Sequence, residues 1–241
     1  MQTTVVVPTY NESENLSKLV GVLLTLPLDL HILVVDDNSP DGTGKIADDL
    51  SVQTGGKVQC LHRAGKQGLG TAYIQGFGRA LENGAEAVVQ MDADFSHPYE
   101  KLVEMSQALK DASVVVGSRY VAGGRLDERW SIFRKALSSF GNVYSRTILG
   151  LPIRDSTGGF KMWRRETLLG MPLQRIRSSG YVFQVEMNYV AYRLGYSFKE
   201  IPIYFADRRA GQSKMSLRIQ FEAALRVWQL RGMYRDLSRK G

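Results

Sequence analysis

The chain has 241 residues with 44% hydrophobic and 23% charged side chains, which is ordinary for a soluble globular protein. Its single cysteine, Cys60, excludes an internal disulfide, and no apolar run approaches the roughly 20 residues of a membrane-spanning helix. The stretch 214–241 holds seven basic and two acidic residues, so +5 of the net charge of +7 lies there. An anionic membrane and a nucleic acid are both possible partners of such a basic stretch. We expect a reducing compartment and a chain that does not cross a membrane by itself.

The first 120 residues alternate between short β-branched runs and amphipathic segments. Strands are predicted at five places: 3–8, 31–35, 58–61, 87–91 and 114–116. Helices are predicted over about 13–26, after 43, over 71–82 and over 98–110. The first strand begins almost at the first residue, without a signal peptide. This alternation predicts an α/β fold with a mostly parallel sheet and helices on both faces.

The alternation is looser after Arg119. Further segments are predicted as helix over 132–149, mixed helix over 183–194, strand over 197–205 and helix over 215–237. The last helix carries an apolar stripe flanked by arginines: Leu217, Phe221, Leu225 and Trp228. Such a stripe is typical of a helix lying on a membrane, but helices that pack on a core look similar, so both interpretations are open. We predict a catalytic domain over 1–214 and a basic amphipathic helix over 215–241.

Two carboxylates follow the fourth predicted strand. Asp92 and Asp94 are spaced i, i+2, which in an extended backbone puts both side chains on the same side. Hard oxygen ligands in this arrangement favour Mg²⁺ or Mn²⁺, which would neutralise a diphosphate. A solvated acidic turn is the alternative, because Asp-x-Asp is a common pattern. For the neighbouring His97, packing on Pro98 is favoured over a place beside the metal.

Polar residues also follow other strands, at the sheet edge where open α/β sheets bind ligands. Tyr10, Glu12 and Asp37 suit a nucleoside, although turn and helix-cap chemistry would explain each of them singly. Four cations from separate segments suit phosphate oxygens, or else surface salt bridges: Arg119, Arg134, Arg208 and Lys214. The chain has no P-loop signature, no Gly-x-Ser-x-Gly elbow and no paired His signature for its thiol, which excludes three enzyme classes: P-loop proteins, α/β-hydrolases and cysteine proteases.

In series, these stretches resemble glycosyltransferase family 2, and within it the polyprenyl (dolichyl) phosphate mannose synthases. The matching stretches are VPTYNE at 7–12, VVDDNSPDGT at 34–43, GLGTAY at 68–73, MDADFSHP at 91–98, GSRY at 117–120, the residues Arg134, Ser138 and Asn142, DSTGGFK at 155–161 and RRAGQSK at 208–214. The resemblance implies a GT-A fold, which is Rossmann-like. It also implies inverting transfer of mannose from GDP-mannose to a polyprenyl or dolichyl phosphate, with a divalent metal.

The resemblance also implies roles for individual residues. The nucleotide sugar would be held by Pro8, Tyr10, Glu12, Val35, Asp37, Asp92, Ala93, Asp94, Arg208 and Lys214. The metal would lie at Asp92, Asp94 and Ser96, and the acceptor phosphate at Arg119, Arg134, Ser138 and Arg208. Of these, Asp94, Arg119 and Arg134 are the predicted catalytic residues.

The same resemblance predicts a protein at the cytoplasmic face of a membrane, with no nucleic-acid partner. Many relatives continue into transmembrane helices, whereas this chain stops after one basic helix, which leaves room for a membrane-anchoring partner subunit. Three rival functions are a UDP-glucose-dependent sister enzyme, a sugar nucleotidyltransferase and a nucleic-acid-binding module. A phosphate acceptor is already anionic at pH 7 and needs no general base. An alcohol acceptor would need one, and Asp155 or Glu186 would be the candidates.

Overall fold

The computed structural model describes residues 1–207 and 217–237, with side chains in the second range described from 223 onward. The strands are β1 (Thr3–Thr9), β2 (Leu30–Asp36), β3 (Val58–His62), β4 (Ala87–Gln90), β5 (Val114–Ser118), β6 (Arg125–Leu126), β7 (Lys161–Arg164), β8 (Phe198–Pro202) and β9 (Tyr204–Phe205). The helices are α1 (Ser13–Leu23), α2 (Thr43–Gln53), α3 (Leu69–Glu82), α4 (Lys101–Ala108), α5 (Ile132–Leu149), α6 (Arg165–Gly170), α7 (Gly180–Arg193) and α8 (Leu217–Met233).

The main sheet has the strand order β3-β2-β1-β4-β7-β5-β8. All neighbouring pairs are parallel except those of β7, which runs antiparallel between β4 and β5. Helices cover both faces, since successive residues of β1 belong to opposite cores: Val6 packs with α3 and α7, whereas Val5 and Val7 pack with α1 and α4. The predicted α/β fold with a mostly parallel sheet is therefore confirmed.

The strand β7 was not predicted. It begins with Lys161, and a lysine at the start of a four-residue strand hides the apolar pattern of Met162 and Trp163. All three side chains are nevertheless fully buried. The two-residue strand β6 was not predicted either; its Arg125 and Leu126 pair with β9. Short strands give too few residues for a period-2 pattern to be recognised.

Helix α3 lies very close to β1, and a glycine makes this possible. A Cβ atom built on Gly76 would lie 2.4 Å from Cγ1 of Val6 and 3.1 Å from Cγ2 of Val35. The helix backbone thus rests directly on the sheet, and its neighbours Tyr73 and Phe77 are fully buried. This close packing fixes α3, and with it Tyr73, against the strands whose ends carry the predicted nucleotide residues.

The C-terminal helix α8 packs on the domain by a face that the stripe did not predict. Val227, Leu230 and Tyr234 are buried, whereas Leu225 and Trp228 are 65% and 54% exposed. Leu217 and Phe221 have side chains outside the described set. The boundary between 1–214 and 215–241 stays a prediction, although the inner face of α8 shares the core of α7. In the described part of the chain, no helix is long and apolar enough to traverse a bilayer.

Candidate active site

The carboxyl ends of β2, β1 and β4 lie side by side and carry the predicted nucleotide residues. Tyr10 is 37% exposed, with Nζ of Lys66 3.5 Å above its ring centre. Asp37 is nearly buried and lies 3.0 Å from Nη1 of Arg63, in an ion pair without an aligned hydrogen bond. Burial raises the pKa of Asp37, and the charge of Arg63 only partly offsets this. The ring and the carboxylate thus share one edge of the sheet, as predicted.

Other predicted nucleotide residues are less accessible. Glu12 lies at the start of α1, where its N–H donates to Oγ1 of Thr43 at 2.9 Å. Pro8 is half-buried at the end of β1. The side chain of Val35 is fully buried against α3, so it faces the core and not the sheet edge. Side chains alternate between the two faces of β2, and Val35 falls on the face that packs against α3. A contact of Val35 with a ligand would therefore have to come from its main chain.

The two carboxylates lie in a loop and not in a strand, which corrects the extended geometry assumed for them. The strand β4 ends at Gln90, and a bend over 93–95 includes Phe95 with a left-handed φ of 61°. Asp94 is 7% exposed, and its Oδ1 accepts a hydrogen bond from the N–H of Ser96 at 3.0 Å. A non-glycine residue at such φ costs free energy and is frequent at functional sites.

The residues of this loop fit a hard divalent cation. Asp92 accepts a hydrogen bond from the hydroxyl of Tyr73 at 3.2 Å. Oγ of Ser96 is buried without a hydrogen-bond partner, so a third oxygen is available beside the two carboxylates. Oxygen-only donor sets of this kind suit Mg²⁺ or Mn²⁺. Ala93, between the carboxylates, is buried.

His97 contributes to the site differently from the prediction. Its Nδ1 accepts a hydrogen bond from the N–H of Asp92 at 3.1 Å, and its ring stacks on Phe160 at a centroid distance of 5.1 Å. The helix predicted from Pro98 begins only at Lys101, after a turn. His97 is therefore a positioning residue for the loop that carries both carboxylates.

A second group of potential ligands lies between helix α2 and the edge strand β3. Asp48, Cys60 and His62 have ligand atoms within 4.8 Å of one another. Cys60 and His62 share a face of β3, with Sγ and Nδ1 3.8 Å apart, which was not predicted. Burial raises the pKa of the Cys60 thiol to about 12, and nearby carboxylates add to the shift. A thiol that stays protonated is a poor metal ligand and a poor nucleophile.

The end of β5 carries a buried ion pair. Arg119 donates to both oxygens of Asp155 at 2.7 Å and to Oγ1 of Thr157 at 2.9 Å. Burial alone would raise the pKa of Asp155, but the charge and hydrogen bonds of Arg119 outweigh it and hold that pKa below its ordinary value. Arg119 therefore anchors the glycine-rich turn that begins at Asp155. The contact of Arg119 with a phosphate stays a prediction, because in the structure its guanidinium group donates to residues of this turn.

Helix α5 presents two of the other predicted acceptor residues one turn apart. Arg134 stacks on Trp130, with its guanidinium 3.5 Å from the ring centre, and donates to Oδ1 of Asp207 at 3.0 Å. Oγ of Ser138 accepts a hydrogen bond from the hydroxyl of Tyr120 at 2.7 Å. The spacing i, i+4 places both on the same face of α5. Arg208 and Lys214 lie outside the described residues.

The two carboxylates considered as alternative bases are both committed to structural bonds. Asp155 also accepts from the N–H groups of Arg119 and Gly158. Glu186 is fully buried and accepts from the hydroxyl of Tyr234 at 2.7 Å and from the N–H of Ser178 at 2.7 Å. A carboxylate whose oxygens are engaged in this way is poorly placed to remove a proton from a substrate.

Lys161 has an environment that the sequence did not reveal. It is fully buried, and its Nζ donates to the carbonyl of Gly158 at 2.7 Å and to Oε1 of Gln184 at 2.6 Å. Burial lowers the pKa of this amine from 10.5 to about 7, although Asp155 acts in the opposite direction. The lysine supports the same turn that Arg119 anchors. The only sign of its burial in the sequence was its position directly before the apolar residues Met162 and Trp163.

The free energy of unfolding of the wild-type protein should therefore rise with pH relative to that of a Lys161→Met variant. Between pH 7 and 10.5 the unfolded chain binds a proton at Lys161 that the folded chain does not, so raising the pH favours folding over this interval. We expect the free energy of unfolding in urea, measured between pH 7 and 9.5, to climb in the wild type relative to Lys161→Met. Parallel curves for the two proteins would show that the buried amine keeps its proton.

Comparison with known proteins identifies the class of this site. The model of the family described as "Glycosyl transferase family 2" matches residues 4–169, which is more than half of the chain. The chain belongs to glycosyltransferase family 2. It is therefore a glycosyltransferase, and the family resemblance inferred from the sequence motifs is confirmed.

Two curated relatives extend the similarity to nearly the whole family 2 chain. A polyprenol monophosphomannose synthase of Mycolicibacterium smegmatis is 44% identical over 234 residues, covering 96% of this chain and 88% of that protein. An undecaprenyl-phosphate mannosyltransferase of Micrococcus luteus is 43% identical over 239 residues, covering 98% of each. A solved mannosyltransferase from Pyrobaculum calidifontis, in complex with GDP-mannose and Mn²⁺, has a TM-score of 0.57 and 19% identity, covering 88% of this chain and 58% of that one. This structural similarity agrees with the GT-A fold.

Proposed function

We propose that this glycosyltransferase moves mannose from GDP-mannose to a polyprenyl phosphate, such as dolichyl phosphate, at the cytoplasmic face of a membrane. The observation that carries the proposal is the identity of 43–44% with two mannosyltransferases named for polyprenol products or acceptors, over 96–98% of the chain. GDP-mannose as the donor is supported by the solved mannosyltransferase that holds it. At this identity the fold and the site residues are expected to serve the same substrate class.

The sheet edge supplies a place for each part of the donor. Tyr10 would stack on the base, and Asp37 and Glu12 would accept hydrogen bonds from the base or the ribose. Asp92, Asp94 and Ser96 would hold Mg²⁺ or Mn²⁺, which when bound neutralises the diphosphate of the departing GDP. Tyr73 and His97 keep the loop of Asp92 in place through the two hydrogen bonds described above.

The acceptor would be positioned by cations and not activated by a base. Arg134 and Ser138 face the same side of α5, and Arg119, Arg208 and Lys214 are further proposed phosphate contacts. A phosphate oxygen is already a nucleophile at pH 7, so the residues need only place it in line with the anomeric carbon. The commitment of Asp155 and Glu186 to structural bonds supports this arrangement. A single displacement of this kind would invert the anomeric centre and give a β-linked product.

The donor is tested by competition. The purified protein would receive polyprenyl phosphate with radiolabelled GDP-mannose or radiolabelled UDP-glucose, and the lipid product would be extracted and counted. The proposal predicts transfer from GDP-mannose that unlabelled GDP-mannose suppresses and UDP-glucose does not. Preferential transfer of glucose would favour the sister activity, and release of pyrophosphate from a sugar phosphate and a nucleoside triphosphate would favour a nucleotidyltransferase.

Membrane binding should depend on the outer face of α8. Leu225 and Trp228 are both more than half exposed, and Arg226 and Arg231 lie beside them. Such a face suits the interface of an anionic bilayer, so Leu225→Glu/Trp228→Glu should lower the fraction of protein that floats with anionic liposomes by about tenfold. The inner-face residues stay untouched, which keeps the fold intact. Equal flotation of the variant and the wild type would assign membrane contact to another surface.

A further inference from the structure

A cavity of about 340 Å³ lies beside α5, and nothing in the proposed reaction uses it. It is lined by Tyr120, Ser139, Asn142, Val143, Arg146 and Arg154. Two of these six residues carry a permanent positive charge and none carries a carboxylate. We call this cavity the Arg146 pocket. The carboxylate of Glu200, which accepts from the N–H groups of Arg154 and Asp155, does not line the cavity. The two guanidinium groups therefore give the lining a net positive charge that favours an anion.

No ion pair neutralises the two arginines of the Arg146 pocket within the described part of the chain. Nε of Arg146 is buried and has no hydrogen-bond partner. Over residues 1–207 and 223–237, neither Arg146 nor Arg154 forms an ion pair, whereas Arg119, Arg134 and Arg175 each contact a carboxylate. A buried donor without an acceptor is costly, so the Nε of Arg146 points to an acceptor supplied from outside the chain.

We propose that the Arg146 pocket binds a phosphate group other than the one that accepts the sugar. The planar fork of arginine matches phosphate oxygens, and the hydroxyl of Ser139 offers one more donor. Tyr120 lines this pocket and donates its hydroxyl to Ser138, so it lies between the pocket and the proposed acceptor site. The two phosphate sites would therefore be neighbours along α5, separated by one tyrosine side chain.

The surroundings favour the phosphate of an anionic lipid headgroup as the source. Val143 lines the pocket and is 56% exposed. Phe140 and Phe133, which precede Val143 on the same helix, are 64% and 72% exposed. The spacing of 133, 140 and 143 puts the three side chains in one stripe. A cationic pocket that opens beside an exposed apolar stripe matches a lipid, which carries phosphate and acyl chains together. A free phosphate ester would use the pocket alone.

The test compares two variants that each lose two positive charges. Arg146→Gln/Arg154→Gln removes the pocket, and Lys18→Gln/Lys110→Gln removes two exposed lysines that pair with no described carboxylate. In one arm, binding to phosphatidylcholine vesicles is measured with and without phosphatidylglycerol. In the other, inorganic phosphate is titrated by calorimetry in an Arg134→Gln background, where the proposed acceptor site contributes least. Neither arm contains a sugar nucleotide, so the result stands apart from the proposed function.

We expect the pocket variant to bind at least about tenfold more weakly than the lysine control, because two charged hydrogen-bonding groups are lost. Arg146→Lys/Arg154→Lys should recover part of the binding, since lysine keeps the charge without the fork. A loss confined to phosphatidylglycerol vesicles identifies a lipid headgroup, and a loss confined to inorganic phosphate identifies a free phosphate ester. Equal binding of the pocket variant and the lysine control in both arms, with both variants folded by circular dichroism, would overturn the proposal.

Discussion

Asp94→Asn should lower mannosyl transfer by at least about 100-fold while leaving the protein folded. The amide oxygen of asparagine can still accept the hydrogen bond from Ser96, so the loop keeps its shape. A neutral amide is a much poorer ligand for a hard cation than a carboxylate, so the substitution weakens the proposed metal site. Initial rates with GDP-mannose and polyprenyl phosphate would be measured over a range of Mg²⁺ and Mn²⁺ concentrations.

The control for this loss is Asp111→Asn, which changes an exposed carboxylate in the same way. Asp111 lies 3.7 Å from Lys199 and has a side chain that is 76% exposed, so its loss should leave the rate unchanged. In the wild type, EDTA should abolish transfer, and Mg²⁺ or Mn²⁺ should restore it. Full activity of Asp94→Asn in the presence of EDTA would contradict the assignment of Asp94 as a metal ligand.

Asp155→Ala should destabilise the fold by about 3–5 kcal/mol. The substitution leaves the guanidinium of Arg119 buried without its charge partner, and it also removes the acceptor for the N–H groups of Arg119 and Gly158. A buried charge without a partner is far more costly than the loss of an exposed ion pair. The free energy of unfolding in urea at pH 7 measures this directly.

A matched surface variant separates burial from charge. Asp49→Ala breaks the ion pair with Lys45, whose two side chains are more than half exposed, and should cost less than about 1 kcal/mol. Replacing both members of the buried pair, as Arg119→Met/Asp155→Leu, should recover part of the stability because no charge is left unpaired. A loss below about 1 kcal/mol for Asp155→Ala would show that water reaches Arg119 and solvates it.

The sequence allowed the sheet and the edge that carries the candidate site to be predicted, because both follow from local patterns. Runs such as Val5–Val7 and Val114–Val116 mark buried strands by themselves, and polar residues directly after a strand must lie at its carboxyl end. Parallel strands bring those ends to one edge whatever the details of packing. The approximate places of Tyr10, Asp37 and Asp92 were predictable for this reason.

Pairings between distant segments could not be predicted in the same way. Arg119 and Asp155 are 36 residues apart, and no local pattern indicates that the guanidinium group of the arginine donates to this carboxylate. The buried Lys161 depends on the antiparallel insertion of β7, which a pattern of alternating strands and helices does not suggest. The inner face of α8 was missed because Val227 and Leu230 compete with an equally plausible stripe one residue away.

The identity of the acceptor decides between a phosphate and an alcohol as the group that receives the sugar. The protein would receive GDP-mannose together with polyprenyl phosphate or with the free polyprenol of the same length, and the mannosylated lipid would be measured in each case. We expect polyprenyl phosphate β-mannose from the first and no product from the second, since a phosphate is already ionised and Asp155 and Glu186 are committed to structural bonds. Efficient mannosylation of the free alcohol would contradict this expectation, because that reaction requires a general base that the proposed mechanism does not include.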